Sequence, residues 1–249
     1  MKNPNEIYEN EIVFGSKKQC DDNPKRWEHA RDMILKLGYD PKKVLDIGCG
    51  DGFISQSIKN IYPNAEVFGI DISKTAIAIA QNKYPIINFQ TANAEEKLPF
   101  EDNFFDLVFS GEHIEHIKDT DTYLEEINRV MRKGGVFIIT TPNLAYWVNR
   151  LLLLFGFQPF SCEASLKRKF PLFTIFGKNI PDNSNFPPAG HLRIFTPNNL
   201  KMLLEFYGFK SIQMKGSSLL KKPIIREIDF FLSMLPSLAH NIILKTEKK

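Results

Sequence analysis

Cysteine is scarce: Cys20, Cys49 and Cys162 are the only three, and no C-x-x-C pair occurs. An odd, scattered set excludes a disulfide framework and a four-cysteine zinc site, and it favours a reducing, cytoplasmic setting. Long apolar runs are also missing. None exceeds the five residues of 151–155, against the roughly 18 that a bilayer-crossing helix needs. The opening MKNPNEIYENEIVF has no basic stretch followed by an apolar one, so it is not expected to act as a signal peptide. Glycine (14) and proline (15) are ordinary in number, which excludes collagen-like and low-complexity chains. What is present is 43% hydrophobic and 24% charged. That composition excludes a mostly disordered chain, and 249 residues suit one large domain with a sizeable core.

Charge is unevenly spread. The net of +3 is made of −6 over residues 1–141 and +9 over residues 142–249. Such charges can simply face water. Alternatively, the second half meets an anionic surface: a phosphate-bearing substrate, a membrane or a nucleic acid.

Strands and helices alternate along the chain. Residues 24–38 read as an amphipathic helix, with Pro24 near its start and Gly38 past its end. Strand candidates follow at VLDIG (44–48), AEVFGID (65–71), INFQTAN (87–93), FFDLVFS (104–110) and VFIITT (136–141). Between them lie helical spacings at 54–62, at 73–84 with Ser73 as N-cap, and at 119–135 with basic residues and glycines closing the last turn. After residue 190 the rhythm resumes. TPNNLKMLLEFYGF (196–209) is a helix capped by Thr196, KSIQMKG (210–216) is a strand, and HNIILKTEK (240–248) closes the sheet as a hairpin partner. This order predicts an α/β fold: a doubly wound, mostly parallel, seven-stranded sheet with helices on both faces. One domain spans 1–249, opened by an N-terminal helical segment at 1–39. Residues 142–190 break the rhythm and read as an insertion after the fifth strand, a lid over the substrate. Within it, RLLLLFGFQPF is expected to be a core or lid helix, or a greasy mouth for a lipid-like substrate. LKRKF and SLLKKPIIREIDFF mix basic and apolar residues, a combination that can lie on an anionic bilayer.

The strongest signal is the first strand and loop, V-L-D-I-G-C-G-D-G. Gly48, Gly50 and Gly52 let the backbone turn sharply and approach a ligand. Dinucleotides and S-adenosylmethionine are both held by such loops. Here the third glycine comes one residue early for the dinucleotide pattern, and Asp46 would repel a pyrophosphate while suiting a ligand that carries ammonium and sulfonium. Asp71, ending the second strand, can accept from two ribose hydroxyls, and Ile72 can cover an adenine face.

These motifs resemble those of the class I S-adenosylmethionine-dependent methyltransferases, with a Rossmann-like fold. VLDIGCGDG, GID (69–71), TANAEEKLPFEDNFFDLVFS and LEEINRVMRKGGVFIITTPN stand in the family's order and cover residues 40–145, and HLRIFTPNNLKMLLEFYGF extends the likeness over 191–209. The resemblance implies that Asp46, Gly48, Cys49 and Gly50 hold the methionine end and that Asp71 holds the ribose. It further implies that Asn93, Ala94 and Glu95 border the adenine, and that Ser110 lies near the methionine moiety. Cys49 is a small loop residue on this reading and not a nucleophile.

A second constellation follows the fourth strand in G-E-H-I-E-H-I (111–117). A helical turn there would put Glu112, Glu115 and His116 on one face. In one reading His116 or His113 is a general base for a hydroxyl. In the other, Glu112, Glu115, His116 and the later His191 bind Mg²⁺ or another divalent metal. In a third, Glu115 and His116 serve only local packing. E-x-x-E-H looks like the metal motif of the small-RNA 2′-O-methyltransferases, and equally like a run in the quinone-pathway O-methyltransferases. The flanking sequence is closer to the small-molecule and glycan-cluster relatives. The expected function is therefore O-methylation of a small molecule, a quinone-like phenol or a glycan hydroxyl, with His116, Glu112 and His191 as the catalytic candidates. A lipid-like acceptor and peripheral membrane contact are compatible with it. DNA is not an expected partner, and RNA is disfavoured because no RNA-binding module is visible. The competing readings are a silent S-adenosylmethionine-binding scaffold, an RNA 2′-O-methyltransferase, and a nicotinamide-dependent oxidoreductase.

Overall fold

The computed structural model describes residues 24–166, 174–175, 178–179, 189–220 and 223–249. The basic run after Leu166 and most of NIPDNSNFPPAG lie outside the described residues, as does the chain before Pro24.

The elements run α1 (Pro24–Leu35), β1 (Lys43–Ile47), α2 (Phe53–Ile61), β2 (Glu66–Asp71), α3 (Lys74–Lys83), β3 (Asn88–Thr91) and β4 (Phe105–Gly111). A single 3₁₀ turn (Ile114–His116) comes next, then α4 (Thr120–Val130), β5 (Met131–Pro142) and α5 (Trp147–Leu154). A two-stranded ribbon, β6 (Thr174–Ile175) and β7 (Lys178–Asn179), precedes α6 (Pro197–Phe206), β8 (Phe209–Ser217), α7 (Pro223–Ser233) and β9 (Asn241–Lys248). The main sheet has seven strands in the order β3-β2-β1-β4-β5-β9-β8. β1 to β5 pair in parallel, and β9 runs antiparallel between β5 and β8. β9 is thus the one reversed strand of the main sheet, so the expected doubly wound, mostly parallel sheet is what forms.

Near-continuous apolar strands are what a sheet buried on both faces requires. One face packs Ala30, Met33 and Ile34 of α1 with Ile58 of α2 and Ile77 of α3. The other packs Tyr123, Leu124 and Ile127 of α4 with Leu200 and Leu204 of α6. The capping residues act as read: Ser73 Oγ accepts from the Ala76 amide, and Thr196 Oγ1 accepts from the Asn199 amide with Pro197 in the first turn.

Three expectations need correction. The helix read as 119–135 stops at Val130, and Met131 already pairs with Phe105 in the sheet. Its last carbonyls are met from elsewhere in the chain: Asn128 O by Lys248 Nζ at 2.7 Å, and Arg129 O and Val130 O by the amides of Asn103 and Phe104. Second, of the alternatives for RLLLLFGFQPF, a core helix is the one that fails: its first residues belong to α5, which is not buried. Leu151, Leu153, Leu154 and Phe155 are 46% to 75% exposed. Third, SLLKKPIIREIDFF contains a helix, α7, that periodicity alone did not reveal. Buried Asp229 anchors it, accepting from Tyr146 Oη at 2.9 Å, Trp147 Nε1 at 2.8 Å and the amides of Leu219 and Leu220.

Candidate functional site

The parallel strands bring their carboxyl ends to one edge of the sheet, and a crevice opens there between β1 and its two neighbours, the place where such sheets bind ligands. A cavity of about 430 Å³ fills it. Among its walls are Asp46, Gly48, Cys49, Gly50, Asp71 and Ile72. Asn93, Ala94 and Glu95 also border it, as do Glu112, His113 and His116.

The glycine loop is built around close approach. Gly48 has φ +72°, and a Cβ there would stand 2.6 Å from the His113 ring. The amides of Gly48 and Cys49 donate to Ile70 O, which ties the loop to β2. Asp71 is aimed by two amides, Gly50 N onto Oδ2 and Ser73 N onto Oδ1, each at 2.9 Å. Asp46 is buried and accepts from Ser55 Oγ at 2.6 Å. Burial, with the Asp71 charge adding to it, pushes its carboxyl up to about 7. Burial also pushes the Cys49 thiol well up, so it is an inert neutral group. Asp51, the next acid of the loop, is paired with Lys83 at 2.8 Å.

The adenine-side residues hold one another: Asn93 Oδ1 accepts from the Glu95 amide, and Asn93 Nδ2 donates to Glu96. Ser110 is elsewhere engaged. It is buried outside the cavity wall, and its hydroxyl shares a 2.6 Å hydrogen bond with Tyr123 Oη.

The second constellation divides in two. Glu112 sits at φ +50° and is held by Thr140 Oγ1 (3.0 Å), Asn241 Nδ2 (2.9 Å) and the Arg26 guanidinium (3.0 Å). It ties three elements together and is not part of the cluster that follows. Glu115, His116 and His191 do come together, with one ligand-capable atom from each lying within 4.8 Å of the others. Glu115 is fully buried. Its Oε2 accepts from Thr141 Oγ1 at 2.9 Å, while Oε1 has no hydrogen-bond partner. An unsatisfied buried polar atom costs about 1–3 kcal/mol. Burial, and then Glu112, pushes the Glu115 carboxyl well above the carboxylate range. Burial, with His191 beside it, lowers His116 to about 4, and His113 is lowered to about 3 by burial and by His116. Both rings are neutral at pH 7, the form that accepts a proton or a metal.

Sequence reasoning missed the residues that position this end. Arg26 and Asn241 fix Glu112 from distant parts of the chain. Glu163 accepts from the amides of Ala189, Gly190 and His191, and so fixes the loop that returns His191. No local pattern marks these residues, because each acts across more than 25 positions of chain.

A family model described as a methyltransferase domain matches residues 40–177, just over half of the chain. A malonyl-acyl-carrier-protein O-methyltransferase of Legionella pneumophila is 33% identical over 45% of this chain and 39% of its own length. A ubiquinone biosynthesis O-methyltransferase of Mesorhizobium japonicum is 29% identical over 58% of this chain and 60% of its own. A demethylmenaquinone methyltransferase of Chlorobaculum tepidum is 38% identical over 40% of each. The matched part therefore spans about 40% to 60% of these relatives' lengths. Among solved structures, an S-adenosylmethionine-dependent methyltransferase from Mesorhizobium loti superposes with a TM-score of 0.61 at 17% identity, covering 90% of this chain and 97% of that one. One from Aquifex aeolicus gives 0.59 at 16% identity, covering 100% of both chains. At that identity these structures bear on the fold alone.

Proposed function

Because the chain belongs to the methyltransferase-domain family, within the class I S-adenosylmethionine-dependent superfamily, we propose that it moves a methyl group from S-adenosylmethionine to an oxygen of a small-molecule acceptor. The observation that carries this reading is the pair of aimed carboxylates, Asp46 and Asp71, on either side of a glycine turn with no space for a side chain at Gly48. The residues fit that cofactor. Asp46 lies where an ammonium would meet it, Asp71 has acceptor capacity for a ribose, and Ile72 and Ala94 offer apolar contact to a base. Asp46 beside the glycine turn would repel a pyrophosphate, which disfavours the nicotinamide alternative.

S-adenosylmethionine, when bound, supplies a methyl group on a positively charged sulfur that departs as a neutral thioether. This chain's part is to hold donor and acceptor in line and to exclude water, which removes the entropic cost of their encounter. Neutral His116 faces the acceptor end of the cavity, placed to take the hydroxyl proton. Glu112 acts as a positioning residue that fixes the end of β4 against α1 and β9. The described part of the 142–190 insertion is read as a lid. Leu166, Ala189 and Gly190 at the cavity wall support it.

A lipid-like or quinone-like acceptor is favoured over RNA by the exposed apolar residues of α5 and α7. No helix among the described residues is long and apolar enough to cross a membrane. Calorimetric titration with S-adenosylhomocysteine and with NADH tests the cofactor assignment. The first should bind the wild type and bind Asp71→Ala at least tenfold more weakly, and NADH should not bind. Equal affinity in Asp71→Ala would sink the ribose assignment.

A further inference from the structure

We propose that Glu163 is a positioning residue for His116 and acts on it through a single peptide group. Both ends of the peptide that joins Gly190 to His191 are engaged. Its N–H donates to Glu163 Oε2 at 3.1 Å, and its carbonyl oxygen, Gly190 O, accepts from His116 Nδ1 at 3.2 Å. Carboxylate, peptide and imidazole thus form one chain of hydrogen bonds, although Glu163 and His116 are far apart in sequence and do not touch through side chains. The inference rests on the reading of His116 as the base in methyl transfer.

The chain of bonds selects a tautomer. A carbonyl oxygen only accepts, so His116 Nδ1 carries the hydrogen and Nε2 is the basic nitrogen of the neutral ring. The opposite tautomer, with hydrogen on Nε2, could not take a proton there. A peptide whose N–H is bonded to a carboxylate is polarised, and its carbonyl becomes a stronger acceptor. Charge acts in the same sense. Burial and then His191 lower the His116 pKa, while the bond to Gly190 and the charges of Glu112 and Glu163 work against them. In the transfer step His116 Nε2 gains the hydroxyl proton, the acceptor oxygen bonds to the methyl carbon, and the carbon–sulfur electron pair leaves with the sulfur. Glu163 favours the imidazolium so formed, which then gives its proton to water.

The bridging peptide is clasped from both sides. Glu163 also accepts from the amides of Ala189 at 2.6 Å and Gly190 at 2.7 Å, and His191 Nδ1 donates to Ser161 O at 3.0 Å. The segment carrying Glu163 is itself anchored, because the Phe160 amide donates to Asn149 Oδ1 at 2.8 Å. Asn149 is buried on α5, and its Nδ2 donates to the carbonyls of Asn143 and Leu144 just past β5. On the far side, the amides of Leu192 and Arg193 donate to Glu115 O in the turn that carries His116. Ala189 and Gly190 line the cavity. Opening the clasp would remove the acceptor from Nδ1, so the base is oriented only while this part of the insertion is closed.

Long-range ¹H–¹⁵N spectra of the full chain labelled with ¹⁵N-histidine read the tautomer directly, the His116 signals being those missing from His116→Gln. The wild type should carry hydrogen on Nδ1, and Glu163→Gln should shift the ring toward hydrogen on Nε2. Transfer of a labelled methyl group into a cell extract, at saturating S-adenosylmethionine, should fall about tenfold or more in Glu163→Gln. Affinity for S-adenosylhomocysteine should be kept, and Glu163→Asp, which retains the charge, should recover part of both the tautomer and the rate. Hydrogen on Nε2 in the wild type overturns the proposal without recourse to any Glu163 variant. So does a tautomer unchanged in a Glu163→Gln chain that still binds S-adenosylhomocysteine. A wild type that binds S-adenosylhomocysteine but transfers no label counts against the methyl-transfer reading, and the His116 tautomer still decides the role of Glu163.

Discussion

Asp46 shows most directly how a single side chain sets a property of the whole site. Its carboxyl is pushed up to about 7, chiefly by burial. The empty site therefore holds a neutral acid below that pH and a carboxylate above it. An ammonium pairs only with the carboxylate, so binding below pH 7 must first expel a proton. Affinity for S-adenosylhomocysteine should fall as pH drops from 8 to 6, by up to about tenfold per unit below 7. Asp46→Asn should bind weakly and with a flat profile over the same range. Calorimetry at pH 6, 7 and 8 reads both. A pH-independent wild type would show that no charge forms on Asp46 when the ligand enters. His116 makes the complementary case. Burial keeps its ring neutral throughout this range, so its own titration does not confuse the reading.

At the scale of elements, the loop after β1 does two jobs with one residue. Gly48 is in the left-handed region and packs directly under the His113 ring. Gly48→Ala should lose about 1–2 kcal/mol to backbone strain alone, and more to the collision with a buried imidazole. In a chain of this size, each kcal/mol lowers Tm by about 2–4 °C. A thermal melt should show a loss of several degrees, together with weakened cofactor binding. A melt unchanged from wild type would contradict the close packing. The same element explains why so much was legible. β1, its glycines, Asp71 at the end of β2 and the caps Ser73 and Thr196 are written locally, in periodicity and turn chemistry. The end of α4 is not legible locally, because its last carbonyls are met by Lys248 about 120 residues later and by the amides of Asn103 and Phe104 some 25 residues earlier. Glu112 and Glu115 looked equivalent at three-residue spacing. A 3₁₀ turn that begins only at Ile114, together with the pull of Arg26 and Asn241, separates them. The partners of α7 likewise lie far along the chain, so the helix was hidden within a mixed basic and apolar segment.

For the whole molecule, the two ends differ in character. Residues 1–141, with a net charge of −6, hold the two carboxylates, Asp46 and Asp71, of the cavity proposed for the cofactor. Residues 142–249 carry +9 and expose Leu154, Phe155, Ile224 and Phe231, each between 66% and 80% accessible, on two helices joined through Asp229. A net positive charge in this half, together with exposed apolar side chains, favours anionic bilayers over neutral ones. The full chain should sediment with vesicles containing phosphatidylglycerol, and less with phosphatidylcholine alone. A double variant Leu154→Glu, Phe231→Glu should stay in the supernatant. Equal recovery from both vesicle types would remove the membrane from the account.

Transfer of a labelled methyl group from S-adenosylmethionine into a fractionated cell extract tests the central claim most directly. Label should appear in an organic-soluble or glycan fraction and be base-stable as an ether or base-labile as an ester, in either case bound to oxygen. It should be lost with His116→Ala while S-adenosylhomocysteine affinity is kept. Cofactor binding confirmed by calorimetry, with no label in any fraction, would contradict the account and leave the fold as a binding module.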